Sequence, residues 1–312
     1  MKEIKDIRDD QIRVIGGGDE PKPAKTKLWI AIGVVAALIV ALLIIFVPSS
    51  EEGGASASDT AINNMEAVEA EVIETVFEPM EVALQVEEVT ITKLGCEVDA
   101  EADGFTEIQD TTINDIPMRI YIPHNAEMSL HIGKMDKSDQ SVVFTAQAAD
   151  IRADNGGIVG AFVLNGVPKA WGLSKRGFCA SIDGVVTVGV ADNSPLFEQA
   201  TERGGHFFRQ YPLVDNGVLV ENEPRGKSVR RAICDRYGEI FIVETQTAES
   251  FHDFAQALVD LGVDNAIYIV GGSAYGWAVD ADGERHEFGD DNFYTGRRKM
   301  PKNTSYLVWR KR

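Results

Sequence analysis

Four short stretches carry residue types that could do chemistry. Asp154-Asn155-Gly156-Gly157 is a polar turn ahead of an apolar run, and Arg209-Gln210-Tyr211-Pro212 leads into Asn216-Gly217. Ser228-Val229-Arg230-Arg231-Ala232-Ile233 puts two adjacent cations at the entry to a strand. Val270-Gly271-Gly272-Ser273 is a glycine turn directly after an apolar strand pattern. Paired glycines at a strand end let successive N–H groups turn inward as an anion nest, with Ser273 adding a hydroxyl. Neighbours on a strand face opposite ways, so one of Arg230 and Arg231 can face a cleft, where a guanidinium fork suits phosphate. Each stretch alone has a plainer explanation: a tight turn for Gly-Gly-Ser, a solvated pair for the two arginines.

Metal chemistry has no comparable signal. The three cysteines, Cys96, Cys179 and Cys234, form no Cys-x-x-Cys, and none of the five histidines stands in a zinc or EF-hand spacing. No metal and no cofactor is expected. Cys179 and Cys234 lie in apolar strand patterns, where buried free thiols are the expectation and a disulfide between them the alternative.

The elements that must position these residues begin near residue 114. Met118–Ile122 and Ser141–Thr145 read as strands. Asp183-Gly184, Asn216-Gly217 and Asp282-Gly283 mark turns between β-rich runs. Helices are expected over Pro195–Glu202 and Ala248–Leu261, the second capped by Thr247 and stopped by Gly262. Its apolar face is Phe251, Phe254, Leu258 and Leu261. A strand, Ala266–Val270, follows it. The fold class expected is α+β: a mixed, largely antiparallel sheet with packed helices, preceded by one transmembrane helix and an acidic stalk.

That preamble comes from charge. The 312 residues carry a net charge of −19, but unevenly. Residues 1–27 hold seven bases and six acids, residues 28–47 no charge, and residues 48–110 17 acids against one base. Residues 111–312 are near neutral, so an anionic ligand is admissible there, whereas nucleic acid is an unsuitable partner for the chain as a whole. Leu28–Val47 is long enough, as a helix, to cross roughly 30 Å of hydrocarbon. Lys22, Lys25 and Lys27 precede it, which puts residues 1–27 in the cytoplasm and the remainder outside, as an uncleaved signal-anchor would. The domains expected are a cytoplasmic tail (1–27), a transmembrane helix (28–47), an acidic stalk (48–110) and a catalytic or binding domain (111–312).

Taken in order, the motifs resemble the phosphodiester glycosidase family. They are Asn155-Gly156-Gly157-Ile158, Phe178 to Asp183-Gly184, Tyr211-Pro212-Leu213 with Asn216-Gly217, Arg230-Arg231-Ala232-Ile233-Cys234, and the Gly-Gly turn after the strand Asn265–Ile269. The resemblance implies hydrolysis of a sugar-1-phosphodiester at its anomeric carbon. It assigns substrate contacts to Asn155, Gly157, Arg230, Gly271, Gly272 and Ser273. The chain departs from the pattern at Val270, where the family carries Asp before Gly-Gly. Glycoside cleavage commonly needs a carboxylate. Asp154 and Glu244, both at strand ends beside matched motifs, are the candidates to supply it. The alternative is a non-catalytic envelope module that binds glycan or phosphoglycan.

Overall fold

A computed structural model describes residues 12–13 and 93–312. Strands are numbered in chain order. A seven-stranded sheet runs β13 (Val218–Leu219), β12 (Pro212–Asp215), β16 (Asn265–Ile269), β14 (Arg231–Arg236), β15 (Glu239–Thr245), β3 (Ile116–His124), β2 (Phe105–Ile113). A five-stranded sheet runs β10 (Val185–Val190), β9 (Gly177–Ile182), β11 (His206–Gln210), β7 (Ala161–Leu164), β8 (Val167–Trp171). A second five-stranded sheet runs β18 (Arg285–Phe288), β17 (Gly276–Val279), β5 (Val142–Gln147), β19 (Ser305–Lys311), β4 (Ala126–Ile132). Two short strands, β1 (Ile12–Arg13) and β6 (Ile151–Arg152), also pair. Every pairing is antiparallel.

The side-chain period of two explains how three sheets share one core. Ile233, Ile242 and Ile267 of the large sheet meet Phe144, Leu307 and Trp309 of one small sheet and Cys179 and Phe208 of the other. Alternate residues face outward into separate clusters. On the large sheet Ala232, Cys234, Phe241 and Val243 pack beneath α2 (Phe251–Asp260), whose Phe254 and Leu258 are fully buried. Around β9 and β11, Phe178, Ala180 and Phe207 pack with Ala200 of α1 (Leu196–Glu202). Strand β5 is covered on both faces, which is why it reads as an unbroken run of buried residues.

The α+β expectation is overturned. Three antiparallel sheets make the fold, and the α-helices of the described residues have only seven and ten residues, each lying on the outer face of a sheet. The long helix starts later than expected. Ser250, not Thr247, caps it by accepting the Asp253 N–H (3.0 Å), because Ser228 and Glu249 are still held in a strand bridge. Gly262 ends it with φ +84°. The fold also begins before residue 111: β2 runs through the acidic stretch, where Asp110 pairs with Arg119 and Glu107 with His124. Leu28–Val47 and the stretch from 48 to 92 lie outside the described residues. Among those described, no helix is long and apolar enough to cross a membrane. Cys179 and Cys234 are free and buried in different clusters, so they form no disulfide.

Candidate functional site

Strand ends from all three sheets converge on a group of buried polar side chains. Asp150 follows β5, Lys175 precedes β9, Gln210 ends β11, Arg230 precedes β14 and Tyr268 lies near the end of β16. All five are buried. Burying charge without compensation is costly, so such a cluster needs a structural or chemical reason.

Asp150 is the centre of it. Its Oδ2 accepts a hydrogen bond from Gln210 Nε2 (3.0 Å), while Oδ1 is buried with no hydrogen-bond partner among the described residues. Burial pushes the carboxyl pKa up, and the Gln210 bond and the charges of Lys175 and Arg230 oppose that rise. Lys175 Nζ sits 3.5 Å from the centre of the Tyr211 ring, and the Arg230 guanidinium 4.2 Å from that of Phe251. Tyr211, Phe251 and Tyr268 form one aromatic cluster, with centroids 5.0–6.4 Å apart. The two cations therefore stack on one aromatic cluster.

Backbone contacts hold the cations in place. Arg230 Nε donates to the Glu249 carbonyl (2.8 Å) and one of its terminal nitrogens to Gly226 O (2.7 Å). The Arg230 N–H donates to Thr245 Oγ1 (2.9 Å). The loop carrying Lys175 is pinned by Arg209, which donates to the carbonyls of Lys175 (2.8 Å), Ala191 (3.0 Å) and Asp192 (2.9 Å). Arg209 also lines an open cavity of about 500 Å3 with Trp171, Leu173, Phe197 and Glu198.

The residues singled out by sequence are distributed differently. Asp154 is exposed at the tip of the loop after β6, paired with Arg152 (2.9 Å), which holds its carboxyl below the usual range. Asn155 turns back to accept the Gly157 N–H (2.8 Å). Among the described residues no hydrogen bond or ion pair joins this tip to Arg230 or to the glycine turn. Glu244 is buried, but it lies directly opposite Arg231 in the sheet and pairs with it. Arg231 also donates to the carbonyls of Val270 (3.0 Å) and Ala274 (2.8 Å), bridging the two ends of the glycine turn. Of the two adjacent arginines, then, Arg231 is a structural clamp and Arg230 belongs to the cluster.

The glycine turn is a close-packing device. The Gly271 N–H donates to Tyr268 Oη (3.0 Å) and the Gly272 N–H to Val229 O (2.7 Å), so both amides of the expected nest are engaged. Ser273 is exposed, and its carbonyl takes the Asp290 N–H. A Cβ on Gly271 would lie 2.2 Å from Val229 O, and Gly272 has φ +59°. Gly271→Ala is expected to cost about 1–3 kcal/mol or more through this backbone clash, read as a lowered denaturant midpoint at unchanged m-value. An undisturbed midpoint would mean that the turn can move away.

Sequence reasoning missed Asp150, Lys175 and Tyr268 as site residues. Gln210 and Tyr211 lay in a stretch that was singled out, without a role. A usable signal existed for Asp150, the first acid after a run of nine residues, Ser141–Ala149, without a charge.

No protein-family model matches the chain, and no curated protein matches it in sequence. Among solved structures, the catalytic domain of zebrafish N-acetylglucosamine-1-phosphodiester α-N-acetylglucosaminidase, auto-inhibited by its pro-peptide, aligns with a TM-score of 0.46 at 14% identity. That alignment covers 67% of this chain and 83% of the zebrafish one. A hypothetical protein from Synechocystis aligns with a TM-score of 0.48 at 13% identity, over 67% of this chain and 62% of that one. The chain thus bears a distant structural resemblance to a phosphodiester glycosidase domain.

Proposed function

We propose that the chain is a hydrolase of sugar-1-phosphodiesters and that the Asp150 cluster is its reaction centre. The observation that carries this reading is a buried carboxyl with one oxygen that has no hydrogen-bond partner among the described residues, within electrostatic reach of Lys175 and Arg230. The order of motifs in the sequence supports the same substrate class.

The division of labour follows from leaving-group chemistry. A phosphate monoester leaves as a weak base, so cations suffice to stabilise it and strong acid assistance is dispensable. Arg230 and Lys175 supply those cations in a site of low dielectric, where they act most strongly. What remains is to bring water to the anomeric carbon. Asp150 Oδ1 takes that proton as general base. Its raised pKa makes it a stronger base than an exposed aspartate. The C1–O bond breaks, the sugar gains the hydroxyl, and the phosphate monoester leaves with the bonding pair. Of the aromatic cluster, the half-buried Tyr211 is the ring placed to meet the sugar. Asp150 thereby fills the role for which Asp154 and Glu244 were candidates.

The test is turnover of an aryl phosphodiester of N-acetylglucosamine by the full chain. Arg230→Ala is expected to lower kcat/KM at least about tenfold, as for loss of a charge-assisted hydrogen bond. Unchanged kinetics would remove Arg230 from the site. A second reading, binding of a phosphoglycan without turnover, is favoured by the cavity beside Arg209, where Trp171 and Leu173 are more than half exposed. Saturable binding with no product would select it. An extracytoplasmic setting belongs to the same proposal. It rests on the uncharged run Leu28–Val47 and the lysines before it, and fractionation of the full chain with protease protection checks it.

A further inference from the structure

We propose that Cys96, Glu107 and His124 form a binding site for a divalent transition metal of the zinc class, remote in the chain from the Asp150 cluster. One potential ligand atom from each lies within 4.8 Å of the others. The donors are a thiol sulfur, a carboxylate oxygen and an imidazole nitrogen. That mixture suits zinc and its neighbours and is poor for magnesium or calcium. Donors around a tetrahedral zinc stand about 2.0–2.3 Å from the ion, so a group this close needs little movement to close on one.

The three donors come from separate elements that other contacts hold still. Glu107 is on β2, and His124 ends β3, its antiparallel neighbour. Cys96 lies in the segment before β2, which is fastened by Glu239: its carboxylate accepts the N–H groups of Leu94 (3.1 Å) and Gly95 (2.9 Å). Gly95 allows the close approach, since a Cβ there would lie 3.2 Å from His124 Cε1. The His124 ring leans on Phe105, with centroids 5.0 Å apart. The Glu107 carboxylate already binds His124 Nε2 (2.8 Å) and the Cys96 N–H (3.0 Å).

Three protein donors leave a tetrahedral ion one open position. Glu107 also lines an open cavity of about 420 Å3, together with Arg119, Asp280 and His286. Sequence spacing gave no hint of the site because its members are 11 and 17 residues apart and only the β2–β3 pairing assembles them.

Cobalt(II) titration of the full chain provides the test, because a Co(II)–thiolate bond gives a near-ultraviolet charge-transfer band. Cys179 and Cys234 are fully buried, so the band reports Cys96. The wild type is expected to show the band at one equivalent of cobalt and to lose it when zinc is added. Cys96→Ser should abolish the band, and His124→Gln should weaken cobalt binding at least about tenfold. Circular dichroism verifies that both variants are folded. His286→Gln, in the neighbouring Asp280–Glu284–His286 group, should leave the titration unchanged. No band in the folded wild type, a band that survives in Cys96→Ser, or binding that depends on His286 instead would each overturn the proposal.

Discussion

Asp150→Asn should lower turnover of a sugar-1-phosphodiester by about 100- to 10,000-fold, the usual contribution of a general acid–base group, while leaving the fold intact. The substitution keeps the side chain's shape and an acceptor for Gln210, and it removes only the ionisation. Two pH dependences should separate in the wild type. Activity requires the ionised carboxylate, so it should rise with pH through the raised pKa of Asp150. Stability should do the reverse. A carboxyl with a folded-state pKa above its unfolded value favours folding fully below the unfolded pKa, and that contribution is lost as pH rises through the folded one. The melting temperature of Asp150→Asn relative to wild type should therefore climb with pH from about 4 upward. A variant that is equally active, or a stability difference independent of pH, would place Asp150 outside the chemistry.

Arg231→Met should be the most destabilising single change in the domain. The Arg231 and Glu244 side chains are 1% and 8% exposed. Removing the cation leaves a buried carboxylate without its partner, and such truncations cost about 3–5 kcal/mol. It also strips the Val270 and Ala274 carbonyls of their donor, which loosens the turn beside Tyr268. The double variant Arg231→Met, Glu244→Leu should recover part of the loss, because no lone charge stays buried. Recovery should be incomplete, because the carbonyls remain unpaired. Denaturant midpoints measure both effects. A mild single variant would show that water reaches the pair.

Local chemistry was readable from the sequence wherever a single turn or helix end decides it. Asp183-Gly184 and Asn216-Gly217 both have positive φ at each residue, as the hairpin reading requires. Asn114-Asp115, Asn165-Gly166 and Tyr237-Gly238 do the same and went unremarked. Two of these pairs lack the usual Asn/Asp-Gly composition, whereas Asn165-Gly166 has it. The α+β expectation gave the helices too much weight. Their apolar faces are real, but each covers one outer face of a sheet and neither builds the central core. The acidic stretch misled in another way: charge marks composition, and edge strand β2 can carry Glu107 and Asp110 because it pairs each with a neighbour. The cluster itself was least legible. Asp150, Lys175, Gln210, Arg230 and Tyr268 are far apart in the chain, and only the stacking of three sheets brings their strand ends together.

A structure of the full chain bound to a non-hydrolysable sugar-1-phosphonate diester tests the location of the reaction centre most directly. The phosphonate is expected between Lys175 and Arg230, with the anomeric carbon facing Asp150 Oδ1 and the sugar against Tyr211. Density for the ligand only in the cavity lined by Trp171 and Leu173, with the Asp150 cluster empty, would contradict that location and leave binding without hydrolysis as the role of the domain.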